Sequence, residues 1–133
     1  MKLFAFRLQD GDFGIESTYL YRILDDVCIT PVCGMPPFYL GLLYYRGELF
    51  DVIDLNALMC REASERWGRR LMVIRWDDRK LALSTNSILG LLWIEADRQQ
   101  DTFISQDERS VRRITPQQIW DRIRRQLEKF NLS

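Results

Sequence analysis

The residues best suited to chemistry in this chain are carboxylates and thiols. Asp25-Asp26 and Asp77-Asp78 are adjacent acidic pairs, and Asp51 and Asp54 flank Val52-Ile53. Paired aspartates hold magnesium in phosphoryl-receiver domains, where they sit at the ends of strands that alternate with helices. Here short apolar runs follow one another without helices between them, so the pairs read as turn aspartates that hydrogen-bond their own backbone. Asp51 and Asp54 stand three apart on a strand, which puts them on opposite faces and prevents a carboxylate dyad. Cys28, Cys33 and Cys60 are the thiols, in a chain with no histidine. Their Cys-x4-Cys spacing departs from the Cys-x2-Cys of zinc sites, so they read as buried free cysteines in a reducing compartment.

The missing histidine also removes Ser-His-Asp and Cys-His catalysis, phosphohistidine chemistry and histidine-ligated metals. Neither GxGxxG nor GxxxxGK[ST] occurs, and Gly34, Gly41, Gly47 and Gly90 each fall at a turn or strand end. The expectation is a protein without catalysis, cofactor or metal. What the chain offers is surface. Phe38, Tyr39, Tyr44, Tyr45 and Phe50 cluster around Arg46, and strand alternation cannot turn all of them inward. Each one is either barrel core or part of an aromatic and arginine interface.

These residues must be positioned by short strands. Leu3 to Leu8 and Phe13 to Ile15 read as a hairpin closed by Asp10-Gly11-Asp12. Tyr19, Leu20, Ile23 and Leu24 have helix-like spacing over one or two turns, which would let Arg22 pair with Asp25 or Asp26. Ile29 to Val32 is expected to be a short strand, followed by an irregular turn at Gly34 to Pro37. Leu40 to Tyr45 and Leu49 to Ile53 should pair across Arg46-Gly47-Glu48, with Gly47 supplying a positive φ. A short helix over Asp54 to Cys60, capped by Asp54 or Asn56, leads into a polar loop over Arg61 to Arg70. Strands return at Leu71 to Trp76, Lys80 to Ser84 and Leu89 to Ile94. About seven short strands with frequent turns predict a small barrel or pair of barrels. Thr115-Pro116-Gln117-Gln118 opens a final helix as a capping box, and Ile119, Ile123, Leu127 and Phe130 form its apolar stripe. Its basic face, Arg122, Arg124, Arg125 and Lys129, is either simply solvated or turned to an anionic partner.

Composition bounds the rest. The chain has 133 residues, 47% apolar and 29% charged, enough for one domain (1–133) with its own core and too apolar for disorder. No apolar run approaches the ~20 residues of a membrane span, and Lys2 and Arg7 interrupt any leader, so a cytoplasmic location without membrane insertion is expected. Lys+Arg and Asp+Glu are 19 each, which gives no overall pull toward nucleic acid. Residues 1–60 carry four basic and eight acidic side chains and residues 61–133 carry fifteen and eleven, giving −4 and +4, a split suited to partner docking.

The run ITPVCGMPPFYLGLLYYRGELFDVIDL, residues 29–55, resembles the central motif of the CheW-like family, I-T-P-V-P-G-x-P-x-[YF]-[VIL]-x-G-[VIL]-x-N-L-R-G-x-[VIL]-x-P-V-[IV]-D-L. Phe4-Ala5-Phe6-Arg7-Leu8 with Phe13-Gly14-Ile15-Glu16 is similar to the family's opening hairpin. The stretch 82-ALSTNSILGL-91 is similar to its A-L-x-V-D-x-V-L-G-L segment, and the final helix matches in place. The resemblance implies a mainly β fold: two small SH3-like five-stranded barrels sharing a core, with a C-terminal α-helix. It implies a non-enzymatic signalling adaptor that couples the cytoplasmic tip of a methyl-accepting chemoreceptor, or a substitute, to the regulatory domain of a CheA-like histidine kinase, at membrane-associated receptor arrays. It places partner contacts at Leu20, Arg22, Gly41, Tyr44 and Arg46.

The chain departs from the family pattern at several places. Tyr44 replaces an asparagine, Arg22 a frequent glutamate, Asp51 a proline and Asn86 an aspartate, and the last hairpin is compressed into Asp101 to Ile114. Arg22 reverses the charge of a contact position, so a partner built to meet an acid there is disfavoured. The alternative reading keeps the fold and makes the chain a scaffold or localisation protein for a non-receptor partner, as in pilus-driven or gliding motility.

Overall fold

A computed structural model describes residues 1–59, 70–94, 101–104 and 110–132. Alternating apolar residues and tight turns build hairpins first. Lys2–Leu8 (β1) and Gly11–Glu16 (β2) pair antiparallel, with Leu8 opposite Gly11 and Arg7 opposite Asp12. A 3-10 turn over Ser17–Tyr19 leads into Leu20–Asp25 (β3). Tyr39–Tyr45 (β4) and Glu48–Asp54 (β5) form a second hairpin, closed by Tyr45 opposite Glu48. Leu55–Met59 (α1) follows at once, because Asp54 Oδ1 accepts the backbone N–H of Asn56 at 3.0 Å and so caps the helix. Arg70–Trp76 (β6) and Arg79–Ser84 (β7) turn at Asp77-Asp78, and Ser87–Trp93 (β8) is the next strand. Thr102–Ile104 (β9), Ser110–Arg113 (β10) and Pro116–Leu132 (α2) complete the described chain.

Among the described residues these strands make two five-stranded sheets, β8-β1-β2-β10-β9 and β3-β6-β7-β5-β4. Each has one parallel step, β10 on β2 and β5 on β7, between antiparallel neighbours. The sheets face each other over one shared core. Phe6 and Ile15 of the first, Ile53, Met72, Ile74 and Leu83 of the second, and Ile119 of α2 are all buried in it. Each such side chain contributes about 1.5–3 kcal/mol relative to exposure. Each sheet also closes on an interior of its own. Leu24, Leu43, Phe50, Val52, Leu71 and Val73 fill the second barrel, and Leu3, Phe103 and Val111 fill the smaller first one. The capping box of α2 forms as expected: Gln118 N–H donates to Thr115 Oγ1 at 3.1 Å, and Thr115 N–H to Gln118 Oε1 at 2.9 Å. Along its stripe Ile119 and Ile123 are buried, whereas Phe130 is exposed.

Four local expectations are corrected. Leu20 to Leu24 is strand rather than helix, since one isolated helical turn is weak and antiparallel pairing with β6 satisfies the backbone of this segment. Of Ile29 to Val32 only Thr30 bridges a strand, trading hydrogen bonds with Leu42, because Pro31 has no N–H to extend the ladder. Cys28 and Cys33 are exposed rather than buried, as this bridging segment lies outside the sheet. Strands over 20–25, 102–104 and 110–113 raise the expected seven to ten among the described residues. Cys60 and the polar loop up to Arg69 lie outside the described residues.

Candidate docking site

The expected contact residues lie on the second barrel, and its β4–β5 hairpin presents two of them. Two residues, Arg46 and Gly47, make the turn, and both have positive φ, 49° and 82°. That conformation matches the twist of the flanking strands and is usually supplied by Asn-Gly. An arginine held there is strained, and such outliers concentrate at functional sites. Tyr44 and Leu49 face each other on the outer side of the hairpin and are 69% and 58% exposed, so an aromatic and an aliphatic side chain stand open beside the turn.

Strand alternation turns Tyr45 the other way, onto the barrel interior. The same alternation puts Arg22 above Leu24, Glu48 above Phe50, Arg75 above Val73 and Lys80 above Ala82, all at one end of the barrel. The parallel register of β5 on β7, Val52 opposite Ala82, sets Lys80 level with Phe50, and the pair of Tyr45 with Glu48 stands two residues further out. The guanidinium of Arg22 lies 5.3 Å from the ring of Tyr21 and 5.7 Å from that of Tyr45. Arg46 reaches the Tyr45 ring at 5.2 Å, and Arg75 the Tyr21 ring at 4.3 Å. Glu48 Oε1 serves two cations, Lys80 Nζ at 3.3 Å and Arg75 Nη2 at 3.8 Å. Lys80 also stands 4.9 Å over the Phe50 ring. The mouth of this barrel therefore gathers cations and tyrosines above an apolar plug. Arg22 is raised above its ordinary pKa, chiefly through Tyr21, and stays a fixed cation.

Arg22 and Arg46 thus share the ring of Tyr45, while the other expected contact residues separate from them. Tyr44 faces the opposite side of the hairpin. Leu20 is half-buried against the shared core and pairs with Ile74. Gly41 is buried, with φ at 142°, and a Cβ on it would lie 2.2 Å from the carbonyl oxygen of Thr30. Its visible task is to let the bridging segment cross β4. Arg22 does not pair along a helical turn, because that turn is absent and Asp25 is taken by Arg70 at 2.7 Å. Asp51, where the family has proline, accepts the hydroxyl of Tyr39 at 2.6 Å; burial first and this bond second push the Tyr39 pKa well up. Sequence reading missed Tyr21, Glu48, Arg75 and Lys80. Pairing across Asp77-Asp78 would have put Arg75 opposite Lys80, but no local pattern says that β3 and β4 close on the same mouth.

The CheW-like domain model matches residues 2–120. The chemotaxis protein CheW of Rhizobium meliloti is 26% identical over 115 residues, covering 84% of this chain and 74% of that protein. Among solved structures, the scaffolding protein TtCheW of Thermoanaerobacter tengcongensis superposes with a TM-score of 0.70 at 19% identity, over 85% of this chain and 87% of that one.

Proposed function

Since the chain belongs to the CheW-like domain family, we propose that it is a coupling adaptor of the chemotaxis type, docking a CheA-like histidine kinase and a chemoreceptor tip or its substitute. The family is one of non-enzymatic adaptors, and the two-barrel fold is that of a CheW scaffolding protein. The work of such a protein is binding alone. Holding two partners on one rigid body turns their encounter into an intramolecular one, at a raised effective concentration. The adaptor acts in the cytoplasm, as one unit, at the inner face of receptor assemblies.

The observation that carries this reading is the β4–β5 turn, where Arg46 is exposed at positive φ beside the open Tyr44. Arginine and tyrosine are enriched among the few side chains that dominate protein interfaces. Arg22, Tyr44 and Arg46 are assigned direct contact; Leu20 and Gly41 support the same surface from beneath. The test is Arg46→Asn, which keeps a residue at ease at positive φ and removes the guanidinium. Titrating the organism's own kinase regulatory domain and receptor tip should show a loss of about 1–3 kcal/mol with one of them and an unchanged melting curve. Equal affinity with both partners would remove Arg46 from the contact surface; binding to neither by the wild type would remove the adaptor reading itself.

A further inference from the structure

We infer that the mouth of the second barrel is a receptor for carboxylates, and that the partner docking there presents an acidic protein segment. The inference rests on the docking reading above and adds the chemistry of the partner. Arg22, Arg46, Arg75 and Lys80 converge on this mouth, and the carboxylate ion-paired with any of them among the described residues is that of Glu48. Arg75 and Lys80 stand directly opposite each other across the β6–β7 hairpin, an arrangement that is destabilising by itself. Glu48 must serve both, through one oxygen and at unequal distances. The guanidiniums of Arg22 and Arg46 lie over the Tyr45 ring, a contact that does not neutralise them. Planar guanidiniums match carboxylates in bidentate geometry.

Charge complementarity therefore selects an acid, and the surroundings select a protein. The cations ring the end of one small barrel, which suits one or two carboxylates better than a rail of phosphates. The exposed Tyr44 and Leu49 beside it offer the aromatic and aliphatic anchors that flank charged contacts in protein interfaces. The chain as a whole is neutral, so no long-range field draws it to a polyanion.

The test is a nuclear magnetic resonance titration of the intact protein with the peptide acetyl-Glu-Glu-Leu-Glu-Glu-amide and its glutamine counterpart. Inorganic phosphate and vesicles of equimolar phosphatidylglycerol and phosphatidylcholine are run alongside at matched ionic strength. The glutamate peptide should shift the amides of Tyr45 to Glu48 and the side-chain signals of Arg22 and Arg75, and bind about tenfold tighter than the glutamine peptide. Arg75→Glu should weaken it by about tenfold, and Glu48→Gln, which releases Arg75 and Lys80, should tighten it a few-fold. Equal binding of the two peptides, shifts centred on the arginines of α2, or weaker binding by Glu48→Gln would overturn the assignment. So would phosphate or vesicles producing the same shifts at lower concentration, which would make this a site for phosphate-bearing ligands. Because no kinase or receptor enters this experiment, its failure leaves the adaptor reading standing, and failure of the partner titration leaves the carboxylate site standing.

Discussion

The two barrels follow one strand plan. Read in spatial order, β8-β1-β2-β10-β9 and β3-β6-β7-β5-β4 have the same pairing senses, with the parallel step in the same place. Leu8 and Trp76, each the last residue of its strand, both enter the shared core. One residue inward the barrels part. In the first, Arg7 faces Asp12 in an ion pair at 2.8 Å; in the second, Arg75 faces Lys80. The matching position of the plan is thus internally neutralised in one barrel and left with excess charge in the other. Topology is common to both, so it explains neither choice. Charge left unneutralised at an otherwise well-paired site marks where a partner is expected to complete it.

The sharpest way to break this comparison is to add a Cβ at one glycine in each barrel. Gly41→Ala should cost about 3 kcal/mol or more, because its Cβ would press on the backbone carbonyl of Thr30 at a φ of 142°. Gly14→Ala in the first barrel should cost less, about 1–2 kcal/mol, since its new Cβ would press on the buried Leu3 side chain, Cδ1 at 3.1 Å and Cβ at 3.2 Å, rather than on backbone. Urea unfolding of the two variants measures both, and equal losses would mean that the bridging segment yields easily. A smaller effect comes from exchanging the charge patterns. Asp12→Lys, which strands Arg7 against a second cation at a nearly buried position, should destabilise by about 2 kcal/mol. Lys80→Asp, which gives the second barrel the pairing of the first but gives up the Lys80–Glu48 pair, should change stability by less than about 0.5 kcal/mol while weakening partner binding. If Lys80→Asp destabilises by more than that, the excess charge serves the fold and the contrast between the barrels loses its functional meaning.

Much of this was legible in the sequence. The β4–β5 hairpin, the cap at Asp54 and the capping box of α2 rest on local rules, turn geometry and side chain to backbone bonds within a few residues, and they formed as read. Leu20 to Leu24 was misread because apolar spacing over five residues fits one helical turn as well as a bulged strand, and only its pairing with β6 decides between them. The mouth was hidden for the same reason. Arg22, Arg46 and Arg75 come from three separate segments, and their convergence on Tyr21 and Tyr45 depends on barrel closure, which is a long-range property. The resemblance to the CheW-like motif supplied Arg22 and Arg46 but carried no word of Arg75 or Lys80.

Reversal of charge at Arg22 tests the central claim, that the basic mouth of the second barrel is the docking surface, most directly. Wild type and Arg22→Glu are each titrated, at two salt concentrations, with the organism's own cognate partner and with the receptor tip of an orthodox chemotaxis system. The account predicts that the cognate partner binds wild type about tenfold tighter than the variant, that the orthodox tip shows the opposite preference, and that both differences shrink at high salt. Equal affinities throughout would contradict it and leave Arg22 a solvated side chain resting on two tyrosines.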